Sequence, residues 1–240
     1  MAWFFTEPFE GQHHIITGEN AVHIEKSLRM KIGEAVTLVD SDGIQYSCII
    51  ESFSGGCVEV RAEKKFRCEN EPDVHITLYQ SLPKSDKMDF IIQKAVELGV
   101  SSIVPVISAR CISRPDEKSS VKKLQRWNKI ALQAAQQSRR GIIPEVMPVI
   151  TFGEAAENLC ENDCNIIFYE CGGERVGNII TRSFDRINIF IGSEGGFEKS
   201  EVEKIKAKGG TAATLGKRVL RAETAPLAAL SIIMYITGNA

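Results

Sequence analysis

Two glycine-rich segments in the C-terminal part of the chain carry residues that could bind a ligand. The first, Gly192-Ser193-Glu194-Gly195-Gly196, directly follows Ile187–Ile191, whose composition is typical of a buried strand. Glycines at the carboxyl end of a strand let backbone amides approach a ligand closely, and open α/β sheets bind their ligands there. The spacing is not that of the dinucleotide motif GxGxxG, and no phosphate-binding Lys-Ser or Lys-Thr pair follows. Alone, this segment fits a structural turn equally well.

The second segment, residues 215–224, adds charged side chains to a similar glycine turn. It places Arg218, Arg221 and Glu223 just before the final helix, with Thr224 as the predicted N-cap. Arginine and glutamate beside a buried helix are costly unless they have partners. The two segments together therefore predict a binding site.

The final helix, predicted over 225–236, is apolar on almost every side. A helix of this kind must be buried on more than one face, and in a chain of this size that indicates a subunit interface.

The elements that must position these segments follow two different patterns. Residues 1–72 predict a small β-barrel with a short helix near 21–30, and Asp40-Ser41-Asp42-Gly43 has the composition of a hairpin turn. From residue 73 to 240, strands alternate with helices, which predicts a parallel sheet covered by helices on both faces. We therefore expect an α/β protein with one domain over 1–72 and a second over 73–240.

Hydrophobic periodicity gives the elements of the second domain, and Ser200 with Glu203 predicts a capping box for one of its helices. The predicted strands are Val74–Leu82, Ser102–Ile107, Glu145–Ile150, Asn165–Tyr169, Ile187–Ile191 and Thr211–Leu215. The predicted helices are Lys87–Leu98, Ser119–Ser138, Phe152–Leu159, Lys199–Lys208 and Ala225–Ile236.

Composition excludes several classes of protein. The 240 residues are 43% hydrophobic and 25% charged, as in ordinary globular proteins. No apolar run reaches the roughly 18 residues of a membrane span, and the N-terminus lacks the pattern of a signal peptide. We therefore expect a cytoplasmic protein without a membrane partner. The seven cysteines form no CxxC pair, so Cys160, Cys164 and Cys171 make a poor zinc site and no metal is expected.

The net charge of -2 conceals an uneven distribution. Residues 1–72 hold 7 Lys and Arg against 12 Asp and Glu, whereas residues 110–140 hold nine cations and two anions. The basic segment fits either a phosphate-facing patch or a solvated helix face. Its cations are Arg110, Arg114, Lys118, Lys122, Lys123, Arg126, Lys129, Arg139 and Arg140.

The two glycine segments, taken with their neighbours, closely resemble the signature of the RsmE-type ribosomal RNA methyltransferases of the SPOUT superfamily. The matching stretches are Ile191-Gly192-Ser193-Glu194-Gly195-Gly196-Phe197 and Leu215-Gly216-Lys217-Arg218-Val219-Leu220-Arg221-Ala222-Glu223-Thr224-Ala225. The likeness extends to Lys94–Val100, to Ala135–Arg140 with Pro144, and to Leu28–Glu34. It covers nearly the whole chain in the family's order.

This resemblance implies a specific reaction and fold. The family transfers a methyl group from S-adenosylmethionine to N3 of one uridine in the decoding region of 16S rRNA, position 1498 in the usual numbering. It implies a SPOUT domain with a deep trefoil knot, a PUA-like N-terminal barrel that grips RNA, and a homodimer with each active site at the interface. The partner would be 16S rRNA within a small ribosomal subunit particle.

The resemblance also assigns residues to roles. Arg221 and Arg140 would stabilise negative charge on the uracil, and Glu223, with Glu194 behind it, would accept the proton or orient the reactants. Arg29, Lys31, Arg110, Arg114, Arg139 and Arg140 are the RNA-binding candidates. The cofactor-binding candidates are Ile191, Gly192, Glu194, Gly195, Gly196, Leu215, Gly216, Arg218, Val219, Leu220, Thr224 and Ala225.

Two positions depart from the family pattern. Ser193 stands where proline is usual, and Arg139 stands where glycine is common. Two other functions stay open. One is a related SPOUT methyltransferase that acts on tRNA or on the ribose 2′-OH, and the other is an RNA-binding protein without catalytic activity.

Overall fold

The computed structural model describes residues 2–160 and 163–240, which form two compact units. The first unit runs from the N-terminus to Glu71 and also includes Ala135–Ile143. The second comprises Pro72–Ala134 and Pro144–Ala240. The predicted domains are each one continuous stretch of chain, whereas the first unit also includes residues 135–143. Glu71 binds this later segment through an ion pair with Arg140.

The first unit is built on a five-stranded sheet of β1 Ala2–Phe5, β2 His13–Ile16, β3 Ala35–Val39, β4 Ile44–Ser54 and β5 Cys57–Arg67. The strands lie in the order β1-β3-β4-β5-β2. The predicted hairpin is confirmed, since β3 and β4 pair antiparallel, and β4 continues into an equally long partner, β5. The helical part consists of α1, Gly18–Val22, and a π-helical turn, His23–Ser27, so it begins and ends three residues earlier than the predicted helix near 21–30.

Asp40 explains why the chain reverses at the hairpin. Its Oδ1 accepts hydrogen bonds from the backbone N–H groups of Asp42 and Ile44 at 3.0 and 2.9 Å. Its Oδ2 accepts the hydroxyl of Tyr46 at 2.7 Å, and Gly43 supplies the positive φ of 72° that the turn requires. A single buried carboxylate therefore satisfies three donors and fixes the turn.

The second unit alternates strands and helices, as predicted. Its strands are β6 His75–Ser81, β7 Ser102–Ile107, β8 Glu145–Val146, β9 Ile150–Thr151, β10 Cys164–Phe168, β11 Glu174–Arg175, β12 Arg186–Ile191 and β13 Thr211–Thr214. Its helices are α2 Lys87–Glu97, α3 Glu117–Gln137, α4 Phe152–Glu157, α5 Val176–Ile179, α6 Lys199–Ala207 and α7 Thr224–Ile236. The last three residues of α3 fall within the segment that belongs to the first unit.

These strands form a parallel sheet of the order β11-β13-β10-β12-β6-β7-β8, with β9 paired to β7. The α/β class and the parallel sheet are confirmed. All carboxyl ends meet at the same edge, where ligands bind in sheets of this kind. The trefoil knot stays a prediction.

Two helix starts differ from the predictions. Helix α6 is capped two residues earlier than predicted, because the Glu201 carboxylate accepts the backbone N–H of Glu198 at 2.9 Å, so the predicted pair Ser200 and Glu203 is wrong. Helix α7 has Glu223 at its N-cap, and Thr224 is its first residue. Both starts carry acidic residues, which the positive end of the helix dipole favours.

Within residues 2–160 and 163–240, no helix is long and apolar enough to cross a membrane, and no group of His, Cys, Asp or Glu could hold a metal ion. All seven cysteines are thiols, and burial raises the pKa of Cys48 and Cys164 to about 11.

The segment that returns to the first unit is fixed by a bidentate ion pair. Arg140 Nε and Nη2 donate to Glu71 Oε1 and Oε2 at 3.0 and 2.6 Å, and Gly141 N–H donates to Oε1 at 2.7 Å. Arg139, which precedes this pair, has a φ of 60°, in the left-handed region that favours glycine. The glycine that the resemblance implies at this position would therefore have a conformational cause.

We predict that Arg139→Gly stabilises the protein by about 0.5–1 kcal/mol, because it relieves the left-handed strain at a modest cost in chain entropy. Urea unfolding followed by circular dichroism measures the change. Arg139→Ala is the control, since it removes the charge but keeps the Cβ. An alanine variant as stable as the glycine variant would contradict the conformational explanation.

Candidate functional site

A cavity of about 450 Å³ opens at the carboxyl edge of the parallel sheet, within the size range of small-molecule sites. Residues that follow the neighbouring strands β10, β12 and β13 form its wall, and Lys87 at the start of α2 completes it. The lining residues are Lys87, Phe168–Glu170, Ile191–Gly196, Thr214–Ala222 and Ala225.

The first loop, residues 192–196, is closely packed against its surroundings. A Cβ at Gly195 would lie 2.9 Å from Arg110 Cβ, and a Cβ at Gly196 would lie 2.3 Å from Glu170 Oε1. Phe197, which follows, is fully buried, and its ring centroid lies 5.6 Å from that of Phe152. Gly195 is therefore required by close approach and Gly196 by its positive φ of 65°, and the phenylalanine anchors the loop to the core.

Arg110 holds this loop from outside. Its Nη1 donates to the carbonyl oxygen of Gly195 at 2.9 Å and lies 3.8 Å from Glu170 Oε1. Glu170 follows β10 and lines the cavity. The guanidinium of Arg110 therefore links Glu170 to the first loop, which follows the neighbouring strand β12.

Lys87 connects the first loop to the second. Its Nζ donates to Glu194 Oε1 at 2.9 Å and lies 3.0 Å from Glu223 Oε2. The hydrogen bond that Lys87 donates to Glu194, and the carboxylate of Glu223 next to it, raise the pKa of Lys87. The backbone N–H of Glu223 and the ammonium of Lys87 lower the pKa of the Glu223 carboxyl group. Burial raises the pKa of Glu194, but the hydrogen bond from Lys87 and the backbone N–H groups of Glu194 and Lys84 outweigh it and leave that pKa lowered.

Buried polar atoms without hydrogen-bond partners lie in the first loop and in the neighbouring strand β6. Among the described residues, the hydroxyl of Ser193 has no hydrogen-bond partner although the residue is buried and lines the cavity. The Gln80 amide nitrogen donates to the carbonyl oxygens of Ser81 and Gly192, but Gln80 Oε1 and Ser81 Oγ also lack partners. Buried polar groups are nearly always satisfied, so these atoms indicate a place for a polar ligand or water.

The structure brings together almost all of the predicted cofactor-binding residues. Ile191, Gly192, Glu194, Gly195, Gly196, Leu215, Gly216, Arg218, Val219, Leu220 and Ala225 line the cavity. Thr224 does not, because it is the exposed first residue of α7. The roles of these residues stay predictions.

Three of the four predicted catalytic residues lie at or beside the cavity. Arg221 and Glu194 line the cavity, and Glu223 forms an ion pair with Lys87, which also lines it. Arg140 belongs to the first unit, where its side chain is 4% exposed and bound by Glu71. The predicted role needs a guanidinium that can reach the uracil. The guanidinium of Arg140 is instead buried and paired with a carboxylate, which has a structural explanation.

The predicted RNA-binding residues divide in the same way. Arg29, Lys31 and Arg139 are exposed in the first unit, whereas Arg140 is buried. Arg110 and Arg114 donate to backbone carbonyl oxygens of their own unit, Arg114 to Ser108 and Ala109 at 3.4 and 3.3 Å. Their contacts to RNA stay predictions.

Sequence reasoning missed Lys87, Glu170 and Gln80. Glu170 and Gln80 lie at or just after the carboxyl ends of β10 and β6, and Lys87 begins the helix that follows β6 at the same edge. That position is the signal that could have identified them, because it places them at the edge of the sheet where the glycine loops lie.

Known proteins share both parts of this architecture. A family model described as "RNA methyltransferase domain" matches residues 69–234, and one described as "RNA methyltransferase PUA domain" matches residues 16–61. The chain is similar to ribosomal RNA small subunit methyltransferase E of Bacillus subtilis, with 36% identity over 92% of this chain and 90% of that protein. The corresponding protein of Buchnera aphidicola is 32% identical over 95% of this chain and 90% of its own length.

A solved structure is similar throughout. It is the ribosomal RNA small subunit methyltransferase E from Neisseria gonorrhoeae bound to S-adenosyl methionine, with a TM-score of 0.89, 34% identity and coverage of 98% of both chains.

We predict that Gly195→Ala weakens the binding of S-adenosylmethionine at least tenfold, because the new methyl group must displace Arg110 and with it the first loop. Isothermal titration calorimetry measures the affinity. Gly153→Ala in α4 is the matched control, because its Cβ would meet its nearest atom at an ordinary 3.6 Å. Equal affinity of the two variants for S-adenosylmethionine would contradict the assignment of this loop to cofactor binding.

Proposed function

The chain belongs to the RNA methyltransferase family, and from this we propose that it transfers the methyl group of S-adenosylmethionine to N3 of one uridine in 16S rRNA. The observation that carries the proposal is the cavity formed by the two loops, residues 192–196 and 215–222, at the carboxyl edge of the sheet. Relatives similar over nearly the whole chain are named as small subunit rRNA methyltransferases, and one is bound to S-adenosyl methionine.

The residues present fit this cofactor. Glycine loops expose backbone N–H and C=O groups, which suit the adenine, ribose and amino acid parts of the molecule. Ser193 adds a buried hydroxyl without a partner among the described residues, where a bound polar group would satisfy it. When bound, S-adenosylmethionine supplies a methyl group on a positively charged sulfur, and the thioether left behind is an excellent leaving group.

The protein must then orient the uracil and manage its charge. N3 carries a proton and takes part in base pairing, so the target uridine must be unpaired and turned outward. Loss of the proton spreads negative charge over the two neighbouring carbonyl groups, which a cation can stabilise. Arg221 lines the cavity and is exposed, so its guanidinium is available for this role.

Glu223 and Glu194 fit an orienting role better than that of proton acceptor. Lys87 binds both carboxylates, and the pKa of each is lowered. A carboxylate with a lowered pKa is a weaker base. In the proposed mechanism these groups hold the loops around the reactants, and the proton leaves to another acceptor.

The proposed enzyme is a homodimer. Helix α7 buries Leu230 and Ile233 within its own unit but leaves Ile232 38% and Tyr235 80% exposed, which gives an apolar surface suited to a second copy. Its substrate is rRNA within a small ribosomal subunit particle, so the reaction takes place in the cytoplasm. Light scattering during gel filtration tests the dimer.

The reaction is tested with small subunits and free 16S rRNA from a strain that lacks the enzyme. Each is incubated with the protein and S-adenosylmethionine, and the nucleosides are then identified by mass spectrometry. N3-methyluridine in the subunit reaction is expected. Methylation of tRNA alone, or of a ribose 2′-OH, would instead support a related SPOUT activity, and binding of RNA without cofactor uptake would support a non-catalytic protein.

We predict that Arg221→Ala lowers kcat by a factor of about 100–1,000, the usual cost of losing one donor to a developing negative charge. Affinity for S-adenosylmethionine should stay within a few-fold of the wild-type value. Methyl transfer is measured with radiolabelled cofactor at saturating RNA. Unchanged turnover would remove Arg221 from the catalytic residues.

We predict that the double variant Lys118→Gln, Lys122→Gln reduces the salt dependence of RNA binding, because both ammonium groups lie on the exposed face of α3. The slope of log affinity against log salt should fall by about 1 to 2. Filter binding at several salt concentrations measures it. Lys199→Gln, Lys206→Gln on α6 is the control with the same change of charge, and an equal effect there would point to net charge alone.

A further inference from the structure

Lys87 lies outside both glycine loops, yet its ammonium contacts one carboxylate from each side of the cavity. It donates to Glu194 in the first loop and pairs with Glu223 at the end of the second. We infer that Lys87 is a positioning residue that couples the two loops in the arrangement that binds the cofactor. The inference rests on the proposed function, since it concerns the same cavity.

The position of Lys87 is fixed by the sheet. Strand β6 pairs in register with β12, so that Gln80 lies opposite Ile191, and helix α2 begins six residues after β6 ends. The backbone N–H of Lys84 donates to both carboxylate oxygens of Glu194, at 3.2 and 3.3 Å. The connection between β6 and α2 therefore holds the first loop through a backbone group and a side-chain ammonium.

The second loop depends more on this contact. Residues 216–219 are exposed, and Gly216 contacts Thr214 through two hydrogen bonds, of 3.2 and 3.3 Å. Glu223, at the N-cap of α7, is where the loop rejoins a helix. An ion pair at this point fixes the end of the loop relative to Glu194.

Charge explains why a cation is needed there. Glu194 and Glu223 both approach Lys87 Nζ to about 3 Å, so the two carboxylates face the same point. Without the ammonium they would repel one another and separate the loops. With it, two anions share one cation, and the cavity keeps its width. A neutral side chain of similar length, methionine, removes the attraction and leaves most of the packing.

The test compares the affinity of the intact protein for S-adenosylmethionine in four forms, measured by calorimetry. Lys87→Met should bind the cofactor about tenfold more weakly, and Lys87→Arg should restore most of the loss because it keeps the charge. Lys84→Met is the matched control, because it removes an exposed lysine and keeps the backbone N–H that Glu194 accepts. It should bind within twofold of wild type.

Two further measurements distinguish coupling from a simpler role. In Lys87→Met, backbone amides of both loops should exchange with deuterium faster, while those of the core strand β12 stay protected. In a Glu194→Gln, Glu223→Gln background, Lys87→Met should have little further effect on affinity. An undiminished effect there would mean that Lys87 acts on the cofactor directly and would overturn the inference.

The outcomes separate the inference from the proposed function. If wild-type protein does not bind S-adenosylmethionine, the proposed function fails. If wild type binds it and Lys87→Met binds equally well, only the coupling role fails. Should Lys87→Met not fold, Glu223→Gln interrupts the same bridge from the other side, and unchanged affinity and loop exchange in that variant would refute the inference.

Discussion

The parallel pairing of β10 between β12 and β13 is the constraint on which the site depends. Parallel strands bring their carboxyl ends to one edge, so loops that lie far apart in the chain become neighbours. Neither glycine loop can form a cavity by itself. The stacked rings of Tyr79 and Phe190, 4.4 Å apart and opposite each other in register, extend the same alignment to β6 and hence to Lys87.

Charged groups beside the cavity are used in pairs rather than singly. Arg110 holds Gly195 and approaches Glu170, and Lys87 joins Glu194 to Glu223. Such partly exposed pairs contribute little to overall stability, because solvent screens them. Their value lies in geometry, since each fixes a flexible loop relative to a rigid strand or helix.

The sequence predicted the order and type of nearly all elements of the second unit, because strong hydrophobic periodicity and glycine punctuation mark them. It also identified the two loops. It could not reveal Lys87 or Glu170, since their importance comes from contacts across the sheet and local spacing carries no sign of it. The ion pair between Glu71 and Arg140 was hidden for the same reason, as its partners are separated by 69 residues.

The spread of the cavity along the chain has a consequence for how the protein matures. Residues from Lys87 to Ala225 contribute to its wall, and the strands between them are joined by long crossovers. Contacts at such sequence separation form slowly, because loop closure must come first. A chain that is still being synthesised therefore cannot bind the cofactor until almost all of the second unit has been made. Once complete, bound ligand stabilises the whole second unit by mass action, so cellular cofactor supply helps to determine how much of the protein survives proteolysis.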